Sequence, residues 1–436
     1  MDLSYSAEYE SFRGEVASFL TASWPLRGEE VELPSDQKAA LFRGRAIAAG
    51  YLARSIPKRY GGSEELPMTY PIISADSHIT EPPNTYVDFI DPVWRDRAPR
   101  MERVEGRGDV FIVDGMKRPI DIGLAAAAGK PPEELRVNGI PFEELHRGGW
   151  DPEARLGDQA RDGVAAEIIY PTVGMVLCNH RDFDYKKACF DAYNRWITGF
   201  CSAHPERLLG VGQTALRTPE EGISDLHEIK RLGLRGVMMP GNPALEDYDS
   251  RSYDAFWEAA VELDLPLSFH ILTVRENTPV RGPKMNGFLS IIRGCQDIMG
   301  TLVLGGVFER HPKLRVVCVE ADAGWVPHYM YRMDHAYKRH RYWLPAGQEL
   351  SKLPSEYFRE HIYTTFQDDF VAFATADQMN WRRLMWANDF PHSDSTWPWS
   401  QEMLAEHAAA LRPEQRRAIL CGNVAELYKI DLAKLA

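Results

Sequence analysis

LRVVCVEA, residues 314–321, is apolar on both of its faces from Val316 to Val319 and then ends on a carboxylate. A strand with one wet face alternates apolar and polar residues; a parallel strand covered by helices on one side and packed inside a sheet on the other reads as a continuous apolar run. Seven further runs share this character: PIISADSH (71–78), AEIIYPT (166–172), LLGVGQTAL (208–216), LRGVMMPG (234–241), LPLSFHI (265–271), IYTTFQDD (362–369) and RLMWANDF (383–390). Between them lie amphipathic stretches. In TPEEGISDLHEIKRLG (218–233), Thr218 precedes Glu221 by three residues, a capping-box spacing. Eight strand–helix units predict an α/β fold, a closed (β/α)8 TIM barrel. An open doubly wound sheet would want a GxGxxG turn after its first strand, and none follows residues 71–78.

Two insertions interrupt the alternation, one from about Pro82 to Trp150 and one from Leu272 to about Gly287. Both follow a strand C-terminus, the face on which such barrels carry their sites, so both are expected to cover a substrate. The chain of 436 residues divides near Met68, into a helical arm (1–67) and the barrel (68–436). In the arm, Phe12, Val16, Phe19 and Leu20 recur at helical spacing, Trp24-Pro25 stops that helix, and a second helix is expected from Ser35 to about Gly50.

A net charge of −13 without a basic block argues against nucleic acid as a partner. The six cysteines include no CxxC pair and are expected to be reduced thiols. The acidic N-terminus, MDLSYSAEYESF, lacks the basic and apolar regions of a signal peptide, and no run of about 18 apolar residues predicts a membrane span. A cytoplasmic protein is expected, with a small molecule as its substrate.

The chemistry-bearing residues fall at the strand ends. Asp76 and His78, two apart on a strand, point to one side. His270, Glu320 and Asp389 each stand where a strand gives way to a loop. Converging oxygen and nitrogen donors at a barrel mouth are what a catalytic metal requires. Glu81, just past the first strand, is a further candidate ligand. His270, Glu320 and Asp389 are also the candidate catalytic residues. For substrate contacts, the second insertion offers Arg275, Arg281 and Lys284, cations suited to a carboxylate or phosphate. Trp325, Trp397 and Trp399 are candidate pocket walls, His392 is a candidate to orient a ligand, and His180 follows the second strand.

The segments ISADSHITEP, LPLSFH, HPKLRVVCVEADAGWVP, LMWANDFPH and RAILCGNVAELY, in this order over about residues 70–430, resemble the amidohydrolase-related branch of the amidohydrolase superfamily. The resemblance implies a distorted barrel, a divalent metal such as zinc, manganese or iron, and hydrolysis or decarboxylation of a small organic acid or acyl derivative by a metal-activated water. It implies that Asp76 and His78 replace the first-strand HxH pair, that His270 is the fifth-strand histidine, and that Asp389 is the ligand and proton shuttle of the eighth strand. Asp76 stands where the family has histidine, Glu320 replaces the sixth-strand histidine, and residues 234–241 contain no lysine to be carbamylated. With Glu81, the set becomes four carboxylates and two histidines, the composition of di-iron carboxylate sites. A non-heme di-iron monooxygenase on the same barrel is therefore an alternative, with Glu320 or Glu81 bridging the irons. A barrel that binds without catalysis is a third reading, which the retained ligand set disfavours.

Residues 1–67, through DLSYSAEYESFRGEVASFL and RAIAAGYLARSIPKRYGGS, resemble the opening helices of acyl-CoA dehydrogenases. That resemblance implies a packing arm and a CoA-linked substrate. A homodimer is compatible with the fold.

Overall fold

A computed structural model describes residues 17–23, 31, 37–38, 41–42, 45–46, 70–274, 281–344 and 348–435. The chain forms two compact units, Met1–Tyr70 and Pro71–Ala436. In the first, residues 17–23 are helical and Phe19 packs on Phe42 with ring centroids 6.0 Å apart. Phe12, Val16, Trp24-Pro25 and Ser35 lie outside the described residues.

The second unit contains twelve strands: β1 (Ile72–His78), β2 (Arg100–Val104), β3 (Gly108–Ile112), β4 (Ile120–Asp121), β5 (Val164–Tyr170), β6 (Leu208–Gly210), β7 (Gly212–Gln213), β8 (Val237–Met238), β9 (Leu267–His270), β10 (Val316–Val319), β11 (Ile362–Phe366) and β12 (Leu384–Trp386). All but β2, β3 and β4 arise from the eight apolar runs and pair in parallel, β1-β5-β6 and then β7 through β12 in chain order. The third run is divided at Val211. Its amide donates back to Ile169 while that of Gly212 donates forward to Gly236, so one run serves both neighbours and keeps the ring continuous. The ring closes beyond β12. The Asp389 amide donates to the Asp76 carbonyl at 3.1 Å, and the His78 amide to the Phe390 carbonyl at 2.6 Å. The fold is the expected TIM barrel.

Local signals act as read. Thr218 caps the helix Pro219–Arg231 by accepting from the Glu221 amide at 3.2 Å. The first insertion carries an antiparallel sheet, β2-β3-β4, and packs at the barrel mouth. Amides of Ala127 and Ala128 donate to the Pro391 carbonyl and that of Ser393 to Leu124, which ties the insertion to the loop after Asp389. The segment Met285–Leu304 reaches a mean hydropathy of 1.2 over a helical length, enough by composition to cross a membrane. It comprises two helices, Met285–Ser290 and Arg293–Leu304; in the second, Cys295, Ile298, Met299, Leu302 and Val303 form a buried face that packs on β9 and β10.

Candidate metal centre

Asp76 and His78 leave the same side of β1, His270 ends β9, and Glu320 follows β10. Glu320 and Asp389 are both in left-handed backbone, φ 55° and 51°. Non-glycine residues pay for that conformation, and it is retained where the surroundings over-determine it, often at functional sites. In the resulting cluster the Nε2 atoms of His78 and His270 stand 3.2 Å apart. His78 Nε2 lies 3.5 Å from Asp76, 3.3 Å from Glu320 and 3.5 Å from Asp389. His270 Nε2 lies 3.6 Å from Asp76 and 3.2 Å from Glu320.

The hydrogen-bond partners fix what these atoms present. His78 Nδ1 faces the Pro171 carbonyl at 3.0 Å and His270 Nδ1 the Ile271 carbonyl at 3.1 Å. Carbonyls only accept, so each Nδ1 carries its ring's proton and each Nε2 turns a lone pair inward. Both oxygens of Asp76, both of Asp389 and Oε2 of Glu320 are buried with no hydrogen-bond partner. A buried group of acceptors without a donor is costly unless a cation satisfies it. Donor separations of 3.2–3.6 Å are those of neighbouring ligands on one ion. Titration expresses the same demand. Burial opposes charge on His78, yet Asp76, Glu320 and Asp389 outweigh it and hold the imidazole well above its ordinary value. Burial holds Asp389 well above the usual carboxyl range, with the Asp76 charge adding to it. Asp76 falls below that range, because His270 and His78 overcome its burial.

His392 joins this cluster. Its ring stacks on His78 with centroids 3.9 Å apart, and Nδ1 lies 3.1 Å from Asp389. Thr172 gives its hydroxyl proton to the Ile79 carbonyl at 2.7 Å and can therefore only accept from His392 Nε2, 2.9 Å away. His392 Nδ1 is then a lone pair facing a carboxylate, a geometry that calls for one shared proton or a cation. Burial, and next the charge of His78, press the His392 pKa down to about 3, so the ring is neutral. Asp76, His78, His270 and Glu320 form one four-donor group, and His78, Glu320, Asp389 and His392 a second that overlaps it.

Glu81 is not in either group, a correction to its reading as a ligand. Its two oxygens accept from the amides of Val173 (3.0 Å) and Gly174 (3.1 Å), at the start of the helix Val173–Leu177, and its Oε1 accepts from Tyr86. Glu81→Gln turns an amide NH2 against one of those N–H donors. We expect it to cost about 1–3 kcal/mol of stability in a denaturant titration while leaving metal content unchanged.

Of the residues offered for substrate contact, His180 is structural. The Asp182 amide donates to its Nδ1 at 3.2 Å, so its Nε2–H donates to the Asp114 carbonyl at 2.7 Å. Trp325 spends its indole N–H on the Ala321 carbonyl and packs against Tyr329 and Phe358. Trp397 is buried with Ala128 and Phe390, and Trp399 is exposed. Arg281 and Lys284 are exposed and do not line the cleft at His270; Arg275 lies outside the described residues. That cleft, ≈ 690 Å³, is lined instead by Arg181 together with Asn179, Asn242 and the apolar residues Ile271, Leu272, Val274 and Ile291.

Two residues behind the cluster escaped the sequence reading. Arg155, wholly buried, donates to Glu167 at 2.6 Å, to the His78 carbonyl at 2.6 Å and to the Phe390 carbonyl at 3.3 Å. It joins the ends of β1 and β12 to β5. Glu167 had a signal, as the one charge inside AEIIYPT; Arg155 had none, being one of two arginines that an amphipathic helix, Pro152–Asp162, could have left in water.

A barrel whose strand ends gather imidazoles and carboxylates around a donor-free centre defines a class, the metal-dependent barrel enzymes. The chain belongs to the amidohydrolase family, whose model matches residues 76–430. It is similar to 2-amino-3-carboxymuconate-6-semialdehyde decarboxylase of Dictyostelium discoideum, with 26% identity over 47% of this chain and 56% of that protein. It is also similar to a decarboxylase of Emericella nidulans, with 23% identity over 53% of this chain and 72% of that one. The chain thus spans little more than half the length of the first of these relatives. Among solved structures, an amidohydrolase of Mycobacterium avium subsp. paratuberculosis superposes with a TM-score of 0.67 at 18% identity, covering 83% of this chain and 99% of that one. A 5-carboxyvanillate decarboxylase of Novosphingobium aromaticivorans with bound manganese gives 0.62 at 19% identity, covering 83% and 98%. The likeness of residues 1–67 to acyl-CoA dehydrogenases is not borne out: the family match begins at Asp76.

Proposed function

We propose that the protein is a metal-dependent decarboxylase of a small organic acid. The observation that carries this reading is the donor-free cluster of three carboxylates and three imidazoles, opening through His270 onto a cleft. Two curated relatives named as decarboxylases and the manganese held by the 5-carboxyvanillate enzyme support it. A divalent ion held by Asp76, His78, His270 and Glu320 would supply Lewis acidity to fix and polarise the substrate's carboxylate or a neighbouring hydroxyl. Asp389, 3.1 Å from the His392 Nδ1 lone pair, can hold a proton and deliver it to carbon. The bond to the departing carboxylate breaks, its electron pair stays on the carbon, carbon dioxide leaves and the proton takes its place. On the same residues, hydrolysis would use Asp389 as the base toward water. The free, buried cysteines support a reducing, cytoplasmic setting.

A second reading is favoured by the number of donors. Six protein ligands on one octahedral ion would leave no open position for a substrate, and the six donors fall into two overlapping groups. A pair of irons held among these six residues would instead supply the chemistry for oxygen-dependent hydroxylation. Elemental analysis of protein purified without added metal decides between them. About one manganese or zinc per chain, with carbon dioxide released from one of a panel of hydroxylated aromatic acids, is the expected outcome. Two irons per chain with substrate-dependent oxygen uptake would replace it with the second reading.

A further inference from the structure

Asp162 is a buried carboxylate in a place that opposes its charge. It is the last residue of the helix Pro152–Asp162, whose carbonyl end disfavours an anion, and it is wholly out of water. Its donors are all neutral: the Ser400 amide at 3.1 Å, the Ser400 hydroxyl at 2.6 Å and Asn388 Nδ2 at 3.1 Å. Burial pushes its carboxyl up to about 6. The helix has no need of it, because Gly163 already ends the helix in left-handed backbone. What the carboxylate does is fix Asn388. A carboxylate only accepts and the Phe390 amide only donates, so Nδ2 faces Asp162 and Oδ1 faces Phe390, at 3.3 Å. That contact closes a turn over Asp389 and spans its left-handed backbone, φ 51°. Ser77 Oγ, between the ligands Asp76 and His78, lies 2.9 Å from the same oxygen. The Asn388 amide donates to Ser74 Oγ at 3.0 Å, and Ser74 passes its own proton to the Asp76 carbonyl at 2.8 Å. One side chain, 1% exposed, thus joins the turn that carries Asp389 to the strand that carries Asp76 and His78.

We propose that Asn388 is a positioning residue of the metal centre, and that Asp162 sets the orientation of its amide. Together they hold Asp389 against Asp76 and His78 in the arrangement that receives the ion. The stability given up in burying Asp162 is offset by a ligand set that cannot drift apart. The inference rests on the reading of the His270 cluster as a metal site. It goes beyond that reading in naming the device that keeps three of the ligands in place.

The test uses the full chain with manganese and with cobalt(II) as probes. Asn388→Ala and Asp162→Asn should each weaken manganese binding by about 10–100-fold in calorimetric titrations. Each should also shift the visible absorption of bound cobalt, which reports how its ligands are arranged. The exchange Asp162→Asn, Asn388→Asp should regain most of both. In it the carboxylate, now at 388, accepts from the Phe390 amide and from the NH2 now at 162. The oxygen at 162 keeps the Ser400 amide, and the Ser400 hydroxyl turns its proton to Thr396, 2.7 Å away. Single variants with a lower denaturant midpoint but the parental affinity and spectrum would make the network a packing element and overturn the proposal. An exchange variant that regains no affinity, folded or not, would overturn it as well. A parent chain that binds no manganese refutes the metal reading itself, and the positioning role with it.

Discussion

Replacing His270 with alanine is expected to empty the centre: metal content should fall from about one ion per chain to a small fraction of that after dialysis, and turnover should drop by a factor of about a thousand or more. The reason is geometric. His270 presents a lone pair whose direction is set by Nδ1–H on the Ile271 carbonyl, and it is the ligand that also faces the cleft. Substitutions that merely disturb the partners of a ligand cost roughly 10–100-fold in affinity, and removing the ligand itself costs more. A thermal melt checks the result without any substrate. Metal at 100 times its dissociation constant stabilises a folded protein by about 2.7 kcal/mol, so manganese should raise the melting temperature of the parent and leave that of the variant unmoved. Full metal retention by His270→Ala would sink the assignment of this centre.

The second large effect is predicted for Arg155→Met. The guanidinium is paired with Glu167 at 2.6 Å, and both side chains are out of water, at 0% and 1% exposure. Breaking a buried ion pair from one side strands the remaining charge, at a cost of about 3–5 kcal/mol. Gln159 at 2.8 Å and Ser77 at 3.2 Å would still donate to Glu167, but the carbonyls of His78 and Phe390 would lose a donor each. Those carbonyls belong to the segments that hold two ligands, so metal affinity should fall along with stability, by about 10–100-fold. The double variant Arg155→Met, Glu167→Gln should regain much of the stability, since no unpaired charge remains, and little of the metal affinity. Denaturant midpoints and metal titrations measure the two quantities separately. Equal recovery of both would mean that Arg155 acts only as a counter-ion and positions nothing.

The eight strand runs, their order, and the strand-end placement of Asp76, His78, His270, Glu320 and Asp389 were legible in the amino-acid sequence. They are local properties: a parallel strand buried on both faces must be apolar over several residues, and a polar residue at its end stands out against that run. The Thr218 cap was legible for the same reason. What depends on the directions of lone pairs and on distant partners was not. Glu81 lies just past His78 in the chain, yet both of its oxygens are taken by amides some ninety residues away. The third run looks like one strand, and only its two neighbours show why its pairing changes at Val211. His392 is seen to face Asp389 with a lone pair because Thr172, 220 positions earlier, can only accept from its other nitrogen. Arg155 reads as one more solvated helix cation until the closure of β1 on β12 places it between them. Composition and periodicity record whether a residue must leave water; which atom it then meets is decided by the closure of the barrel, which brings Ser77 and Asn388 within 2.9 Å across 311 residues of chain.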